Sequence, residues 1–515
     1  MKLLQKSYLG KVKMIYIDPP YNTGNDFIYP DNYTESLQTY LEYTGQIDAE
    51  GRRFGTNSDT DGRFHSKWLC MMYPRLYLAR NLLREDGLFF GSIDDSEFAR
   101  LRHLCDEVFG EENFVAVLVW KKSYGGGAKT KHVVDLHEYI VVYARNKELL
   151  GFLELPHDPA ILRYYKFKDE KFTVRGPYRT QPLATTSMDE RPNLRFPIMW
   201  QGEEIWPEKQ WQWSPERVEN ALAANELVIT KRSGKWVVDY KQYLRDEDGQ
   251  ERGAKPFSVL DGPYTQIGTR ELQDLGLSDS GFTFPKPVGL AEELVQYGDK
   301  KAIVLDFFAG SGTTAHAVLG LNKQDGGNRR FVLVQLPEPT GRENYPTIAD
   351  ICKERVRRVI RKLGAEDAGK LDLDGRQDRG FRVFKLAESN FTTWEAEKPK
   401  DAEGLARQLE MYVDHIRVGR SAEDLLHEIL LKSGFPLTTR VESVTLVDRS
   451  VYSVAEGALL VCLERDLTLE VIRAMAATKP ERVVCLDAGF AGNDQLKANA
   501  VQIFKTKGVT SFRTV

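Results

Sequence analysis

Cysteine is scarce in this sequence, and its distribution argues against two classes of protein. The 515 residues include five cysteines, and no two of them form a C-x-x-C pair. Neither a disulfide framework nor a zinc ribbon is therefore expected, and the pattern is typical of a reducing, cytoplasmic compartment. Histidine is also sparse, and His103, His137 and His316 show no metal-ligand spacing, so no metal site is expected.

Long apolar segments are missing as well. Apolar runs such as Tyr139–Ala144 have the length of a strand, whereas a membrane-spanning helix needs roughly 20 residues. The first residues lack the continuous apolar core of a secretory signal, so neither secretion nor membrane insertion is expected. There is no excess of basic residues either, because 71 Lys and Arg face 75 Asp and Glu, for a net charge of −4. This balance excludes a uniformly basic DNA-coating protein but permits a locally basic groove.

The composition is that of a globular protein, with 42% hydrophobic and 28% charged residues, and the length allows about three domains at roughly 150 residues each. Strand-like runs alternate with amphipathic helical segments over 1–150 and again over 276–380, which indicates βαβ units and a largely parallel sheet. An irregular stretch rich in Tyr, Trp, Pro and charge, 151–275, interrupts the alternation, and another small α/β region is expected over 381–515. The predicted strands are Lys13–Ile17, Gly87–Ile93, Val115–Trp120, Glu138–Ala144, Ala302–Leu305 and Phe331–Leu336, and the predicted helices Ser66–Glu85, Phe98–Phe109, Thr313–Asn322 and Thr347–Leu363.

The motif Asp18-Pro19-Pro20-Tyr21 follows the first predicted strand, and its chemistry suits the recognition of an amino group. Ligands of open α/β sheets bind outside the carboxyl ends of strands. Two prolines fix φ and lack an N–H, which presents the Asp18 carboxylate and the Pro19 carbonyl as two acceptors for an exocyclic NH₂ group. Tyr21 adds a flat ring on which a base can stack, and this ring rather than the hydroxyl is expected to matter. A strand-terminating Pro-Pro turn with a capping Asp would explain the same residues without a ligand.

A second motif, Asp306–Thr314 (DFFAGSGTT), lies between a predicted strand and a predicted helix. Glycines in such a turn let the backbone approach a ligand at a helix N-terminus. The turn is not a P-loop, because no Gly-Lys-Ser/Thr follows, and it is not a full G-x-G-x-x-G, because Ala315 takes the place of the third glycine. Without a lysine for phosphates, a nucleoside with little or no phosphate is the favoured ligand. A tight turn without a ligand is the alternative.

Together these residues resemble one protein family. DPPY with a downstream F-x-G-x-G loop is similar to the amino-group DNA methyltransferases that use S-adenosylmethionine, in the subgroup whose catalytic motif precedes its cofactor motif. Further stretches resemble the modification subunit of type III restriction-modification systems, and they extend the similarity over nearly the whole chain. These stretches are Asp18–Phe27, Leu88–Asp95, Phe284–Pro287 and Ser421–Gly434.

The resemblance implies an α/β fold in which a Rossmann-like methyltransferase sheet is interrupted by a target-recognition insertion and followed by a small C-terminal α/β domain. Residues 1–150 would form the catalytic half, 151–275 the insertion, 276–380 the cofactor-binding half and 381–515 an interaction domain. The residues implied in catalysis are Asp18, Pro19, Pro20 and Tyr21. The residues implied in binding S-adenosylmethionine are Asp306, Phe308, Gly310, Gly312, Thr313, Lys286 and Gln335.

The implied activity is site-specific transfer of a methyl group from S-adenosylmethionine to adenine N6, because relatives with Asp in this motif mostly modify adenine. Cytosine N4 is the alternative target. Methylation of cytosine carbon 5 is not expected, since it requires a cysteine nucleophile. All five cysteines fall in predicted helices or strands, which include the C-terminal strands Ala458–Leu463 and Arg482–Leu486. The implied partners are double-stranded DNA, a second copy of the chain in a homodimer, and a restriction subunit with helicase and nuclease activity.

Two local patterns bear on DNA binding. The segment Lys121–Pro182 carries 12 Lys and Arg against 7 Asp and Glu, with aromatic residues interleaved, as expected for a surface that follows phosphates. A solvated charged face explains the same count. The tryptophans at positions 200, 206, 211 and 213 are expected to form local core rather than to contact bases.

Two features depart from the family pattern. Gln335 ends the second cofactor strand where an acidic residue would bind the ribose hydroxyls; a glutamine can do so more weakly, and Glu338 is nearby. Asp18 is preceded by only 17 residues, whereas relatives carry a longer lead-in that helps hold the adenine of the cofactor. Either the protein starts further upstream or its cofactor site is weakened. A non-catalytic DNA-binding or assembly module is therefore the second class of function.

Overall fold

The structure is a computed structural model, and it describes residues 1–23, 64–125, 131–156, 159–187, 189–368, 377–392, 416–490 and 492–515. The chain divides into two compact units. One comprises Met1–Gly151 together with Ser258–Val515, and the other is Phe152–Phe257. The end of the predicted segment Asp18–Phe27 lies outside the described residues.

The first part of the larger unit supplies four strands: β1 (Val12–Ile17), β2 (Leu83–Ile93), β3 (Phe114–Lys121) and β4 (His137–Ala144). The helices of this part are Gln5–Tyr8, Phe64–Leu82 and Phe98–Phe109. All six residues of β1 are buried, as expected for a strand covered on both faces. The helix predicted to run to Glu85 ends at Leu82, because Leu83 already pairs with Val12 of β1.

The smaller unit is built on an antiparallel sheet in the order β10-β11-β5. Its strands are β5 (Tyr178–Pro182), β6 (Ala184–Thr185), β7 (Ile198–Trp200), β8 (Glu203–Ile205), β9 (Gln210–Trp211), β10 (Leu227–Arg232) and β11 (Lys235–Tyr243), and its helices Pro159–Leu162, Phe172–Arg175 and Pro215–Ala223. Trp211 lies in the core of this unit, and Trp200 and Trp213 pack against that core. Trp206 does not, since 53% of it is exposed; the expectation that all four tryptophans are core is wrong for this one.

Three further strands complete the central sheet: β12 (Val259–Asp261), β13 (Ile303–Asp306) and β14 (Arg330–Leu333). The helices of this part are Thr265–Asp274, Val288–Val295, Thr313–Asp325 and Ile348–Asp367. The sheet has the order β12-β3-β4-β2-β1-β13-β14. Because β12 pairs with β3, from Val259↔Val119 to Asp261↔Lys121, the residues after Ser258 belong to this sheet. The insertion therefore ends at Phe257 and not at 275 as predicted.

The direction of β4 corrects the expectation of a largely parallel sheet. β1 is parallel to both β2 and β13, β13 to β14, and β12 to β3. β4, however, is antiparallel to β2 and to β3. A parallel partner needs a crossover of a dozen or more residues, usually with a helix, and the described residues between β3 and β4 contain no helix. The fold is α/β with a mixed sheet.

The C-terminal region forms a sheet of its own, in the order β15-β16-β17-β18-β19. Its strands are β15 (Val441–Leu446), β16 (Arg449–Val454), β17 (Leu459–Cys462), β18 (Arg482–Cys485) and β19 (Ser511–Thr514), and its helices Ala422–Ser433, Leu469–Ala477 and Asp494–Thr506. The backbone N–H of Leu437 donates a hydrogen bond to the Tyr8 hydroxyl at 3.1 Å, which ties this region to the first helix. Within the described residues, no helix is both long enough and apolar enough to span a membrane.

Candidate active site

The two sequence motifs meet where the order of the central sheet reverses. From β1 the chain proceeds to β2 on one side, whereas β13 lies on the other side of β1. β1 and β13 are parallel, with Ile15 opposite Leu305, so their carboxyl ends share one edge of the sheet. Asp18 follows β1 directly and Asp306 ends β13. Ligands of open α/β sheets bind in the crevice at such a reversal.

The DPPY turn is held from two sides. The Trp68 indole Nε1, on a side chain with no exposed surface, donates to the Pro20 carbonyl at 2.7 Å. The Tyr21 hydroxyl lies 2.9 Å from Asp18 Oδ1, so the last residue of the motif contacts the first. The turn is therefore rigid, and the Asp18 side chain keeps 29% exposure, which leaves it accessible.

A lysine and a glutamate from distant parts of the chain complete this corner. Lys286 Nζ lies 3.2 Å from Asp18 Oδ1, 2.7 Å from Glu138 Oε2 and 2.7 Å from the Tyr21 hydroxyl. The same hydroxyl lies 2.9 Å from Glu138 Oε2. We call the four side chains of Asp18, Tyr21, Glu138 and Lys286 the acidic corner. Lys122 approaches it from outside, with Nζ 3.5 Å from Glu138 Oε1.

The acidic corner shifts the protonation of its members in different directions. Burial raises the pKa of Asp18, and the negative charge of Glu138 adds to this, while Lys286 opposes it. Burial also acts to raise the pKa of Glu138, but the charge of Lys286 and its hydrogen bond outweigh it, and the pKa is lowered. Burial acts to lower the pKa of Lys286, whereas Asp18 and Glu138 raise it and prevail. Lys286 is therefore an ammonium, and the corner shifts the pKa values of its two carboxylates in opposite directions.

Two residues of this corner make contacts that the sequence did not predict. Lys286 was expected at the cofactor loop, but its ammonium contacts the DPPY motif; only its backbone carbonyl touches the loop, accepting from Thr313 Oγ1 at 3.3 Å. The Tyr21 hydroxyl was expected to be dispensable, yet it contacts Asp18, Glu138 and Lys286. Sequence reasoning did not single out Glu138. A glutamate next to a largely apolar run, as in the strand HEYIVVYA, is a signal for a buried charge with a partner.

The glycine loop after β13 is braced by its own aspartate. Asp306 is 3% exposed; its Oδ1 accepts from the Phe308 backbone N–H at 3.0 Å and its Oδ2 from the Thr314 hydroxyl at 2.6 Å. Burial raises the pKa of Asp306 to about 7. Both carboxylate oxygens thus accept hydrogen bonds inside the loop, so Asp306 shapes the loop, and its contact with a cofactor stays a prediction.

The glycines of the loop are required for different reasons. Gly310 and Gly312 have φ of +51° and +85°, a region that side chains rarely adopt. A Cβ on Gly312 would lie 3.0 Å from Cys352 Sγ, so this glycine lets the loop pack on the helix Ile348–Asp367. The Gly310 backbone N–H donates to Gln335 Oε1 at 2.7 Å. Phe308 is buried in the main core.

Behind the loop lies an arginine that sequence reasoning did not single out. Arg355 has no exposed surface, and its Nη1 donates to Ser311 Oγ and to Thr313 Oγ1, both at 2.8 Å. The helix containing Arg355 was predicted only as a basic helix. The apolar neighbours at Ile351 and Val359, four residues to either side, place Arg355 on the buried face and could have revealed it.

The loop fits a nucleoside with a cationic group better than a phosphate. The backbone turns through two left-handed glycines at the start of the helix Thr313–Asp325, which permits close approach of a ligand. Arg355 is turned to Ser311 and Thr313 and is buried, so it is not presented to a phosphate. The neighbouring acidic corner has two carboxylates and one ammonium, which favours a positively charged ligand. These residues fit S-adenosylmethionine.

The smaller unit contains part of the basic, aromatic segment Lys121–Pro182, and several of the aromatic rings there are exposed, as expected. Cations lie over exposed rings in the pairs Arg163–Tyr164 at 5.0 Å, Lys166–Phe167 at 5.6 Å and Lys168–Phe172 at 4.4 Å. Tyr165 differs, since it is 6% exposed. In the larger unit, the Tyr124 ring is 78% exposed. The role of these residues in DNA binding stays a prediction.

The sheet reversal, the glycine loop after β13 and the DPPY turn after β1 define a class: α/β proteins that bind a nucleoside cofactor beside an acceptor for an amino group. A family model described as DNA methylase matches residues 12–337, and the chain belongs to this family of N6 and N4 DNA methylases. The match includes the DPPY turn, the insertion and the glycine loop.

Curated relatives extend over most of the chain. It is 35% identical over 395 residues to the type III restriction-modification enzyme StyLTI Mod subunit of Salmonella typhimurium, covering 75% of this chain and 58% of that protein. It is 32% identical over 545 residues to the EcoPI Mod subunit of Escherichia phage P1, covering 97% and 81%. The EcoP15I Mod subunit of Escherichia coli is 30% identical over 557 residues, with the same coverage.

Proposed function

We propose that this chain is an adenine-specific DNA methyltransferase and the sequence-reading modification subunit of a type III restriction-modification system. It transfers a methyl group from S-adenosylmethionine to adenine N6 in duplex DNA. The observation that carries the proposal is the position of the Asp18 carboxylate after β1, at the same sheet edge as the glycine loop after β13. The family and the relatives named as Mod subunits support it.

Each half of the site has a separate task. S-adenosylmethionine supplies an electrophilic methyl on a sulfonium. Around it we assign the loop residues Phe308, Gly310, Gly312 and Thr313, with Asp306 as an internal brace. Gln335 shapes the loop through Gly310, and Glu338, a half-buried carboxylate close to Gln335, is the acceptor proposed for the ribose hydroxyls.

The target amine needs acceptors rather than a base of high pKa. The lone pair of an exocyclic amine is delocalised into the ring, and hydrogen bonds from its N–H groups to the Asp18 carboxylate and the Pro19 carbonyl favour a more tetrahedral nitrogen. The Pro20 carbonyl is already engaged by Trp68. The base leaves the duplex to reach this corner, and stacking on an aromatic ring, here that of Tyr21, offsets part of the cost.

The cysteines support an amino group as the acceptor. Methylation of cytosine carbon 5 proceeds through a thiolate nucleophile. Cys105, Cys352, Cys462 and Cys485 are buried, and burial raises the pKa of Cys352 to about 12. Cys70, which is exposed, lies within the helix Phe64–Leu82 and not in either motif. Cytosine N4 remains the second candidate, because the matched family includes N4 methylases.

The remaining regions have roles that follow from this activity. We assign target recognition to Phe152–Phe257, on the strength of its exposed cation–ring pairs. We assign dimerisation and contact with a restriction subunit of helicase and nuclease activity to the C-terminal region after residue 380. Because the proposed substrate is chromosomal DNA, we also propose a cytoplasmic location.

The test separates chemistry from donor binding. Asp18→Ala is expected to abolish tritiated methyl transfer to duplex DNA while S-adenosylmethionine affinity by calorimetry stays within a few-fold of the parent. Asp448→Ala, at an exposed position in the turn between β15 and β16, is the matched control and should be fully active. Near-parental transfer by Asp18→Ala would show that DPPY is not the catalytic motif.

Methylation-sensitive long-read sequencing of DNA from a host that expresses the parent identifies the modified base. N6-methyladenine at one sequence motif is expected, and N4-methylcytosine would favour the second candidate. Binding of DNA with neither donor binding nor methylation would favour a non-catalytic module instead. Exchange of Phe152–Phe257 for the equivalent unit of a relative should move the modified motif and leave donor affinity unchanged.

A further inference from the structure

We infer that the Lys286 ammonium occupies the position on Asp18 that the target amine later takes. Glu138 is the positioning residue that holds Lys286 after the amine has displaced it from Asp18. This inference rests on the proposed function. It assigns to Glu138 and Lys286 a role in admitting the base to the acidic corner, in addition to the acceptor role of Asp18.

The ammonium and the target amine compete for the same oxygen. Lys286 Nζ offers N–H donors, lies 3.2 Å from Asp18 Oδ1 and is half-buried beside the accessible Asp18. An exocyclic NH₂ group also presents N–H donors, and a carboxylate oxygen that receives the ammonium is less available to it. The lysine therefore occupies in the free enzyme the position that the amine needs in the complex.

The distances show which contact is given up. Lys286 Nζ is closer to Glu138 Oε2, at 2.7 Å, than to Asp18 Oδ1. It is also 2.7 Å from the Tyr21 hydroxyl oxygen. Lys286 can therefore leave Asp18 and keep two acceptors, the charged Glu138 and the neutral Tyr21 hydroxyl. An unpaired buried ammonium would be costly, and this movement does not create one.

The Tyr21 hydroxyl links the two carboxylates. It is 2.9 Å from Asp18 Oδ1 and 2.9 Å from Glu138 Oε2, but it has one proton and can donate to only one of them at a time. When Lys286 is bound to Glu138, the Tyr21 hydroxyl can donate its hydrogen bond to Asp18. The Asp18 carboxylate then accepts from the neutral Tyr21 hydroxyl as well as from the amine. In both arrangements each of the four side chains thus keeps a polar partner.

The balance of charge gives Glu138 a function that an uncharged residue could not supply. With Asp18 and Glu138 ionised against Lys286, the acidic corner retains one negative charge. That charge favours the amine, which becomes positive as its nitrogen forms the bond to the methyl group and before it loses a proton. Without Glu138, Lys286 would neutralise Asp18 and remain on it. In the described part of the chain, the other titratable groups near Asp18 are Tyr16 of β1 and Asp306 of β13, and Lys122 faces Glu138 from outside the corner at 3.5 Å.

The decisive experiment combines two substitutions. Glu138→Gln keeps the size of the side chain, removes its charge and leaves Lys286 on Asp18. We expect kcat/KM for DNA to fall by about tenfold or more, with donor affinity and circular dichroism unchanged. Addition of Lys286→Met removes the competitor, so the double variant should recover much of the lost rate. A purely structural Glu138 would instead give a double variant at least as slow as the single one, and this result would overturn the inference.

The pH profile supplies a second readout. Glu138→Gln removes a negative charge beside Asp18, which lowers the pKa of Asp18, so the acidic limb of kcat/KM should move to lower pH. Lys286→Met removes a positive charge and should move that limb to higher pH. Limbs that do not move, or that move in the opposite directions, would contradict the inference.

Different results would overturn the role of Glu138 and Lys286 and the proposed methyltransferase activity. A parent enzyme that methylates adenine while Glu138→Gln has unchanged kcat/KM overturns the role of Glu138 and Lys286 alone. A parent enzyme that binds donor but transfers no methyl group to DNA overturns the proposed function, and this inference with it.

Discussion

The Gln335 side-chain Oε1 accepts a hydrogen bond from the backbone N–H of Gly310 at 2.7 Å. The Nε2 of the same amide donates to the Leu336 carbonyl at 3.2 Å. Gln335 thereby ties the glycine loop after β13 to the chain that follows β14. The ribose contact expected of Gln335 stays a prediction, and the structure shows in addition that this residue shapes the loop.

Replacement of Gln335 by alanine should weaken donor binding without slowing the chemical step. The Gly310 N–H loses its acceptor, which costs about 1 kcal/mol, or roughly a fivefold loss of affinity. Calorimetry with S-adenosylmethionine measures this, and kcat at saturating donor should stay near the parental value. Gln212→Ala, which removes an exposed amide bonded to the Pro182 carbonyl, is the control. Unchanged affinity would mean that the loop holds its shape without Gln335.

The buried carboxyl of Asp306 should make stability depend on pH. Burial raises its pKa to about 7, against about 3.9 in the unfolded chain, so the folded state binds this proton more tightly. The free energy of unfolding then falls as pH rises from about 4 to about 7. Asp306→Asn cannot titrate, and it should flatten this part of the profile measured by urea unfolding.

Comparison of the parent with Asp306→Asn isolates the effect of the Asp306 titration on stability. Other carboxylates titrate in the same range in both proteins, so the difference in unfolding free energy is the informative quantity. Relative to the parent, Asp306→Asn should gain stability between about pH 4 and pH 7. A difference that stays constant across this range would show that Asp306 has an ordinary pKa in the folded protein.

Sequence reasoning predicted the elements that hydrophobic periodicity and turn residues determine locally. The helix Phe98–Phe109 has the bounds that were predicted, and the strand before Asp18 and the glycine loop before Thr313 are confirmed. The antiparallel direction of β4 was not predicted, because it depends on which strands become neighbours. The end of the insertion was missed for the same reason, since only the pairing of β12 with β3 shows where the sheet resumes.

The acidic corner shows what a single sequence does not contain. Asp18 and Tyr21 were found because they are adjacent in the chain and form a motif. Glu138 and Lys286 lie 148 residues apart, and nothing local in either segment specifies their contact. The assignment of Lys286 to the cofactor stays a prediction, and the structure shows that its long side chain extends to Asp18 after β1.

Trp68→Phe should loosen the DPPY turn. The substitution removes the donor to the Pro20 carbonyl and leaves this carbonyl oxygen without its hydrogen bond beside a buried side chain. The loss is expected to lower the free energy of unfolding by about 1–3 kcal/mol. We expect a lower melting temperature and a lower kcat, with donor affinity close to parental. Trp206→Phe provides the control, because this exposed indole bonds only to Glu204 among the described residues. Equal losses of kcat in both variants would contradict a role for Trp68 in holding the turn.

The last prediction concerns the arginine behind the cofactor loop. Arg355 is fully buried, donates to Ser311 and Thr313 at 2.8 Å and lies 3.8 Å from Glu271. Arg355→Met leaves the two hydroxyls without their donor and removes a cation from near Glu271, whose side chain is 23% exposed. The loss of the buried hydrogen bonds is expected to cost about 1–3 kcal/mol.

Arg355→Lys keeps the charge but has no planar fork to serve both hydroxyls, so it should fold while binding S-adenosylmethionine more weakly than the parent. Urea unfolding and calorimetry measure the two effects. Arg357→Met, on an exposed position of the same helix with 52% side-chain exposure, should change stability by no more than about 0.5 kcal/mol. If Arg355→Lys bound the donor with parental affinity, the loop would not depend on the two hydrogen bonds, and the contribution of Arg355 would be to folding alone.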